Sequence, residues 1–243
     1  MKNKAFFSGI WCLFLTLSVC AQDNSLKKQL KLLQNESEHR FLMDSTGFSK
    51  IKTATFITKS IDADELIANG KNIHLVDFNN DGHKDMIYQD FSPYATIILL
   101  AKKDKGFVEI WNGSGTLVNL NHGEKNTIYT LIHAIGCYYK NRLSMLVVNS
   151  DNTITQKTIE LYSETKISTI SKTFEQRIIS GVLRTQPVID NKQKTDPCTG
   201  ELKTGNQIRT IKNKTVTVIK TQNRWVLVVL KENDQSSIGW VKI

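Results

Sequence analysis

Oxygen-bearing side chains recur at alternate positions in Asp77-Phe78-Asn79-Asn80-Asp81-Gly82-His83-Lys84-Asp85. Asp77, Asn79 and Asp81 occupy the first, third and fifth places, and Asp85 the ninth. Gly82 stands sixth, where a chain folding back on itself needs a residue that tolerates positive φ. The seventh residue, His83, would offer its backbone carbonyl. This is the chemistry of a hard divalent cation: calcium takes about six to eight oxygens at about 2.3–2.6 Å, and a short loop with water can supply them. A structural Ca2+ held by Asp77, Asn79, Asp81, His83 and Asp85 is one expectation. The other is a polar hairpin turn, for which Asn-Asn-Asp-Gly is itself a strong signal.

Short apolar runs flank the loop. Ile73-His74-Leu75-Val76 enters it and Met86-Ile87-Tyr88 leaves it, which predicts a strand on each side. An EF-hand would require a carboxylate at the twelfth position and an exiting helix, but that position is Tyr88. The DxNxDGxxD loop between two strands resembles the calcium loop of FG-GAP and VCBS repeats, which occur in integrin-type β-propellers. The resemblance assigns the liganding roles to the same five residues. A propeller needs about four to eight four-stranded blades, and this chain shows one copy of the loop. The region therefore reads as a single sheet, a sandwich or a propeller fragment.

Residues 1–21 have the form of a secretory signal peptide. Lys2 and Lys4 precede the apolar run Ala5–Leu17, and Val19-Cys20-Ala21 offers a cleavage site. The run is shorter than the roughly 20 residues of a membrane span. Leu17-Ser18-Val19-Cys20 also resembles a bacterial lipobox, with Val19 departing from the usual small residue; that resemblance makes Cys20 the candidate lipidated residue. The chain is thus expected outside the cytoplasm, periplasmic or extracellular, with the membrane reached only through the leader or a lipid anchor. Cys137 and Cys198 remain after the leader. In an oxidising compartment they can pair or stay as separate thiols. The formal charge of +9 is spread over scattered lysines. No aromatic-interleaved basic stripe accompanies it, which argues against nucleic acid. A solvated basic surface is one reading, and attraction to anionic envelope polymers the other.

Residues 22–52 read as a helical and polar lead-in: Ser25 can cap a helix, and Leu26, Leu30 and Leu33 share a face. From 53 to 161 the pattern is β. Apolar runs alternate with turn signals at Asn79-Asn80-Asp81-Gly82, Ser92-Pro93, Lys105-Gly106, Asn112-Gly113, His122-Gly123 and Ser150-Asp151-Asn152. This predicts an antiparallel meander, with one short helix over Asp62–Asn69. The Ser/Thr/Lys-rich stretch 162–177 reads as a linker or a surface strand.

A second β module is expected over 178–243, with a long polar loop at Asp190–Gly205 and strands at Gln207–Ile211, Thr215–Thr221, Arg224–Leu230 and Ile238–Ile243. Leu183-Arg184-Thr185-Gln186-Pro187, Trp225-Val226-Leu227-Val228 and Gly239-Trp240-Val241 together resemble a bacterial SH3-like domain. Asn223-Arg224 stands where that family has a glycine, and the first loop is unusually long and carries Cys198. The resemblance implies a small barrel that binds peptide, cell-wall peptide included, with Trp225 and Trp240 as anchor candidates; core packing is their other role.

Catalytic constellations are sparse. Gly113-Ser114-Gly115 lacks the GxSxG form of a hydrolase elbow, and the histidines show no HExxH spacing. His133 and Cys137 could share a strand face, but apolar and aromatic neighbours favour a buried thiol. The expectation is a mainly β, exported, non-enzymatic protein that binds a wall peptide or an envelope protein. The alternatives are an envelope hydrolase with its active site in 53–161, and an inhibitor or immunity-type protein.

Overall fold

The run Ile97-Ile98-Leu99-Leu100-Ala101 is apolar at every position, and a strand sends successive side chains to opposite faces. Such a run suits a strand buried on both sides. The computed structural model, which describes residues 24–33 and 55–243 apart from 69–71, 91–95, 105, 122 and 124, places it so. The leader with Cys20, and most of the lead-in, lie outside the described residues. The fold is mainly β and divides into two units. One comprises Ser37–Ser163 and Lys231–Ser237; the other comprises Met1–Glu36, Glu164–Leu230 and Ile238–Ile243.

In the first unit a five-stranded sheet has the order β1-β5-β4-β3-β2. Its strands are β1 (Thr55–Ile57), β2 (Ile73–Val76), β3 (Asp85–Gln89), β4 (Thr96–Lys103) and β5 (Gly106–Ser114). Strands β2 to β5 pair antiparallel with their neighbours, and β1 joins the edge of β5 in parallel. The meander is therefore closed at one edge by a non-local strand. A second antiparallel group contains β6 (Thr116–Asn121), β7 (Asn126–Ile132), β8 (Lys140–Val148) and β9 (Ile154–Tyr162). One core joins the two: Phe78, Ile87, Ile97, Leu99 and Ala101 from one sheet meet Leu117, Ile128, Leu146 and Val148 from the other. On the opposite face of the five-stranded sheet, Met86, Tyr88, Ile98, Leu100 and Phe107 pack with Leu66. Leu66 is the buried residue of a short helix, Ala63–Ala68, within the predicted span.

Asn112-Gly113 does not turn the chain, as the sequence suggested; it continues β5. Gly113 pairs with Ile97, and a Cβ there would lie 2.5 Å from the Trp111 indole. The glycine makes room for the ring across it, and the chain turns instead at Gly115. On the second sheet Glu160 is 3 % exposed and bonds both Lys140, at 2.8 Å, and Arg142, at 3.0 Å. Burial pushes its carboxyl up, but the hydrogen bonds and charges of Lys140 and Arg142 outweigh that and hold it below its ordinary value.

In the second unit β10 (Glu175–Arg184), β13 (Gln207–Gln222), β14 (Trp225–Glu232) and β15 (Gln235–Lys242) follow one another in the sheet. An antiparallel pairing of Arg184 with Trp240 brings β15 back to β10, so the strands form a closed ring. Ile179, Leu183, Ile211, Val216, Val218, Val226, Val228, Leu230 and Val241 fill it. The two strands expected at Gln207–Ile211 and Thr215–Thr221 are one long strand, β13. It bends at an irregularity opposite Ile179–Gly181, where Asn213 has φ 50° and its N–H donates to Ser180 Oγ at 2.8 Å. A bulge of this kind lets one strand serve two sides of a small barrel.

The loop Asp190–Gly205 contains a two-stranded ribbon of β11 (Gln193–Thr195) and β12 (Leu202–Thr204). The stretch expected as a linker is anchored to this unit: Thr165 and Ile167 are buried, and the Ser171 N–H donates to the Ile219 carbonyl at 2.8 Å. The helix of residues 24–33 belongs here too. Leu30, Leu32 and Leu33 are buried, and the Lys27 ammonium donates to the Lys172 carbonyl beside the Phe174 ring.

Candidate functional site

The turn between β2 and β3 is built from its own side chains. Asp77 accepts the N–H groups of Asp81 (3.2 Å) and Gly82 (3.0 Å) through its two oxygens. Asn79 Oδ1 accepts the Asp81 N–H at 3.1 Å, and Asp81 Oδ1 accepts the His83 N–H at 2.8 Å. Asn80, at φ 61°, and Gly82, at φ 86°, make the left-handed steps that let these amides point inward. A Cβ at Gly82 would meet no atom within 4 Å, so its backbone conformation, not crowding, explains the glycine.

Three residues from the second sheet and its turns hold this loop in place. Asn126, 0 % exposed at the start of β7, donates to the Asp77 carbonyl at 2.9 Å and to Asn80 Oδ1 at 2.8 Å. Asn152 accepts from the Asn79 carboxamide at 2.9 Å, and the Gly123 carbonyl accepts from Asn80 Nδ2 at 3.2 Å. The sequence singled out none of these for the site. A lone asparagine at a strand start carries no spacing, and only its complete burial marks it.

Asp85 differs from the other three oxygen donors. It is fully buried, and its oxygens accept the N–H groups of Phe78 (3.0 Å) and Lys102 (2.8 Å). It therefore ties the start of the loop to β4. Its carboxyl is pushed up to about 6: burial is the main cause, the two N–H donors oppose it, and the nearby charges of Asp81 and Asp77 add to it. All the side-chain donors around the turn are oxygens, and three of them are carboxylates close enough to feel one another. That set fits a hard cation. Among the described residues no group of three His, Cys, Asp or Glu side chains converges on a metal position by itself. Coordination here would rest on the Asn79 oxygen, the His83 carbonyl and water as well as the carboxylates.

The tryptophans expected as anchors separate. Trp240 is 3 % exposed and, with Lys166, Gln186, Pro187 and Lys220, lines a cleft of about 400 Å³ in the second unit. Trp225 is half-buried and not part of that cleft. Arg184 is also buried. Its guanidinium donates to the Asp190 carbonyl (3.0 Å), Asn206 Oδ1 (2.8 Å) and Asn191 Oδ1 (2.8 Å), so it pins both ends of the long loop.

Cys137 and Cys198 are both disulfide-bonded, so Cys137 offers no thiolate to His133. Among the described residues no helix is long and apolar enough to cross a membrane. No family model, curated protein or solved structure matches the chain.

Proposed function

We infer that this is an exported, non-enzymatic binding protein of the cell envelope, with a structural calcium loop in its first unit and an SH3-like wall- or peptide-binding module in its second. The observation that carries the reading is the cleft at Trp240, which combines an aromatic floor with polar walls on a closed four-stranded ring. The disulfide-bonded cysteines support an oxidising compartment, in keeping with the signal-like leader, whether Cys20 is removed or lipidated. In the first unit Asp77, Asn79 and Asp81 would hold Ca2+ with the His83 carbonyl, and Asp85 would brace the loop from inside. The ion supplies positive charge among three carboxylates and pins the hairpin.

Co-sedimentation of the mature protein with purified cell-wall sacculi tests the binding role. Retention of the protein in the pellet is expected. A protein left wholly in the supernatant would contradict it. Zymography on the same sacculi separates binding from hydrolysis, since the reading predicts no cleared band.

A further inference from the structure

The second unit is far more basic than the chain as a whole. Its described residues include sixteen lysines and arginines against five acids: Glu164, Glu175, Asp190, Asp196 and Glu201. The described residues of the first unit are net acidic, with nine lysines and arginines against thirteen acids. The scattered cations of the sequence are thus concentrated in the module that carries the cleft.

Two of them, Lys166 and Lys220, line it. The Lys220 ammonium is held in place: it donates to Ser168 Oγ at 3.1 Å and lies 5.9 Å from the centroid of the Trp240 ring. Among the described residues neither lysine takes part in an ion pair. Glu164 is the one carboxylate of the lining, and it accepts the Thr185 hydroxyl at 2.7 Å. The lining thus carries two ammonium groups against one carboxylate, a net positive charge. The carboxamides of Gln186 and Gln222 each offer a donor pair and an acceptor, which suits a peptide group, and Pro187 and the exposed Val188 supply apolar surface. A volume of about 400 Å³ lies in the range of a small-molecule or short-peptide site.

We propose that this cleft binds a short acidic peptide, with its carboxylate held by Lys166 and Lys220 and its backbone by the two glutamines. The proposal rests on the binding-module reading and names its ligand class and its site. The two can fail separately: sacculus binding without peptide binding would remove this cleft assignment and leave the module.

The test is calorimetric titration of the mature protein at low salt with the N-acetylated, C-amidated tripeptide Ala-Glu-Ala, with the neutral Ala-Gln-Ala blocked in the same way, and with inorganic phosphate. Ala-Glu-Ala is expected to bind with a Kd of about 1 mM, and the neutral peptide about tenfold or more weaker. Lys166→Gln and Lys220→Gln should each weaken binding about fivefold, and Lys220→Arg should restore most of it. The double variant Lys212→Gln, Lys214→Gln removes two exposed charges from the same unit away from the cleft and should leave binding unchanged. Circular dichroism confirms that each variant is folded. Equal affinity for the neutral peptide, equal loss in the Lys212/Lys214 variant, or phosphate binding as tightly as Ala-Glu-Ala would each overturn the proposal.

Discussion

Two backbone N–H groups, from Phe78 and Lys102, end on the Asp85 carboxylate inside the first unit, so a change there differs in kind from one at Asp81. Asp85→Asn replaces one accepting oxygen by an NH2 that faces a donor, and a buried donor left without an acceptor costs about 1–3 kcal/mol. In EDTA, urea unfolding of Asp85→Asn should show a loss of about 2 kcal/mol. Asp81→Asn, on the exposed rim, should lose less than about 1 kcal/mol. Equal losses would contradict the inward role of Asp85. The oxygen spacing of this loop was legible in the sequence, because alternate acidic residues and a glycine form a pattern that needs no tertiary context. The division of labour within it was not. It depends on Lys102, a residue of another strand, and on Asn126, whose only distinguishing feature is burial.

Strands β8 and β9 are joined by the buried Glu160, which Lys140 and Arg142 hold below its ordinary carboxyl value. Its stabilising contribution is present above its unfolded value of 4.5 and is lost as pH falls through the lower folded value. Glu160→Gln should therefore cost about 2 kcal/mol at pH 7, scaled down because both cations are partly exposed. The gap from the unmodified protein should shrink towards pH 3; a gap constant with pH would contradict the assignment.

The long loop of the second unit depends on Gly205. At φ 51° its Cβ would lie 2.0 Å from the Asp190 carbonyl oxygen, which no small shift relieves. Gly205→Ala should cost about 3 kcal/mol in thermal or urea unfolding, whereas a cost under about 1 kcal/mol would show the loop free to move. Apolar runs between turn residues made most strands legible, β3 and β14 among them. Asn112-Gly113 misled because the glycine answers to the neighbouring Trp111 ring rather than to a turn. The ribbon of β11 and β12 was hidden in a polar stretch whose strands are exposed at every position, so they carry no hydrophobic alternation.

At the scale of the molecule, a mainly β fold could be read from the texture of the chain. The membership of each unit could not. Leu30 and Leu33 looked like the stripe of a tether, and only contact with later segments shows that residues 24–33 belong with the second unit. The cysteines likewise left pairing open, because two cysteines far apart in sequence carry no framework. Their disulfide-bonded state predicts that the mature protein, denatured without reductant, shows no titratable thiol; a titre of two would contradict it and weaken the case for an oxidising compartment.

The proposal that the Asp77–Asp85 loop holds Ca2+ is tested most directly by thermal melting of the mature protein in EDTA and in 10 mM calcium. Extracellular calcium modules bind at about 10⁻⁴–10⁻³ M, so this concentration should add about 1.4–2.7 kcal/mol, a rise in Tm of several degrees. The double variant Asp77→Ala, Asp81→Ala should remain folded and lose the rise. An unchanged Tm in the folded wild-type protein would contradict the account and leave the loop a hydrogen-bonded turn.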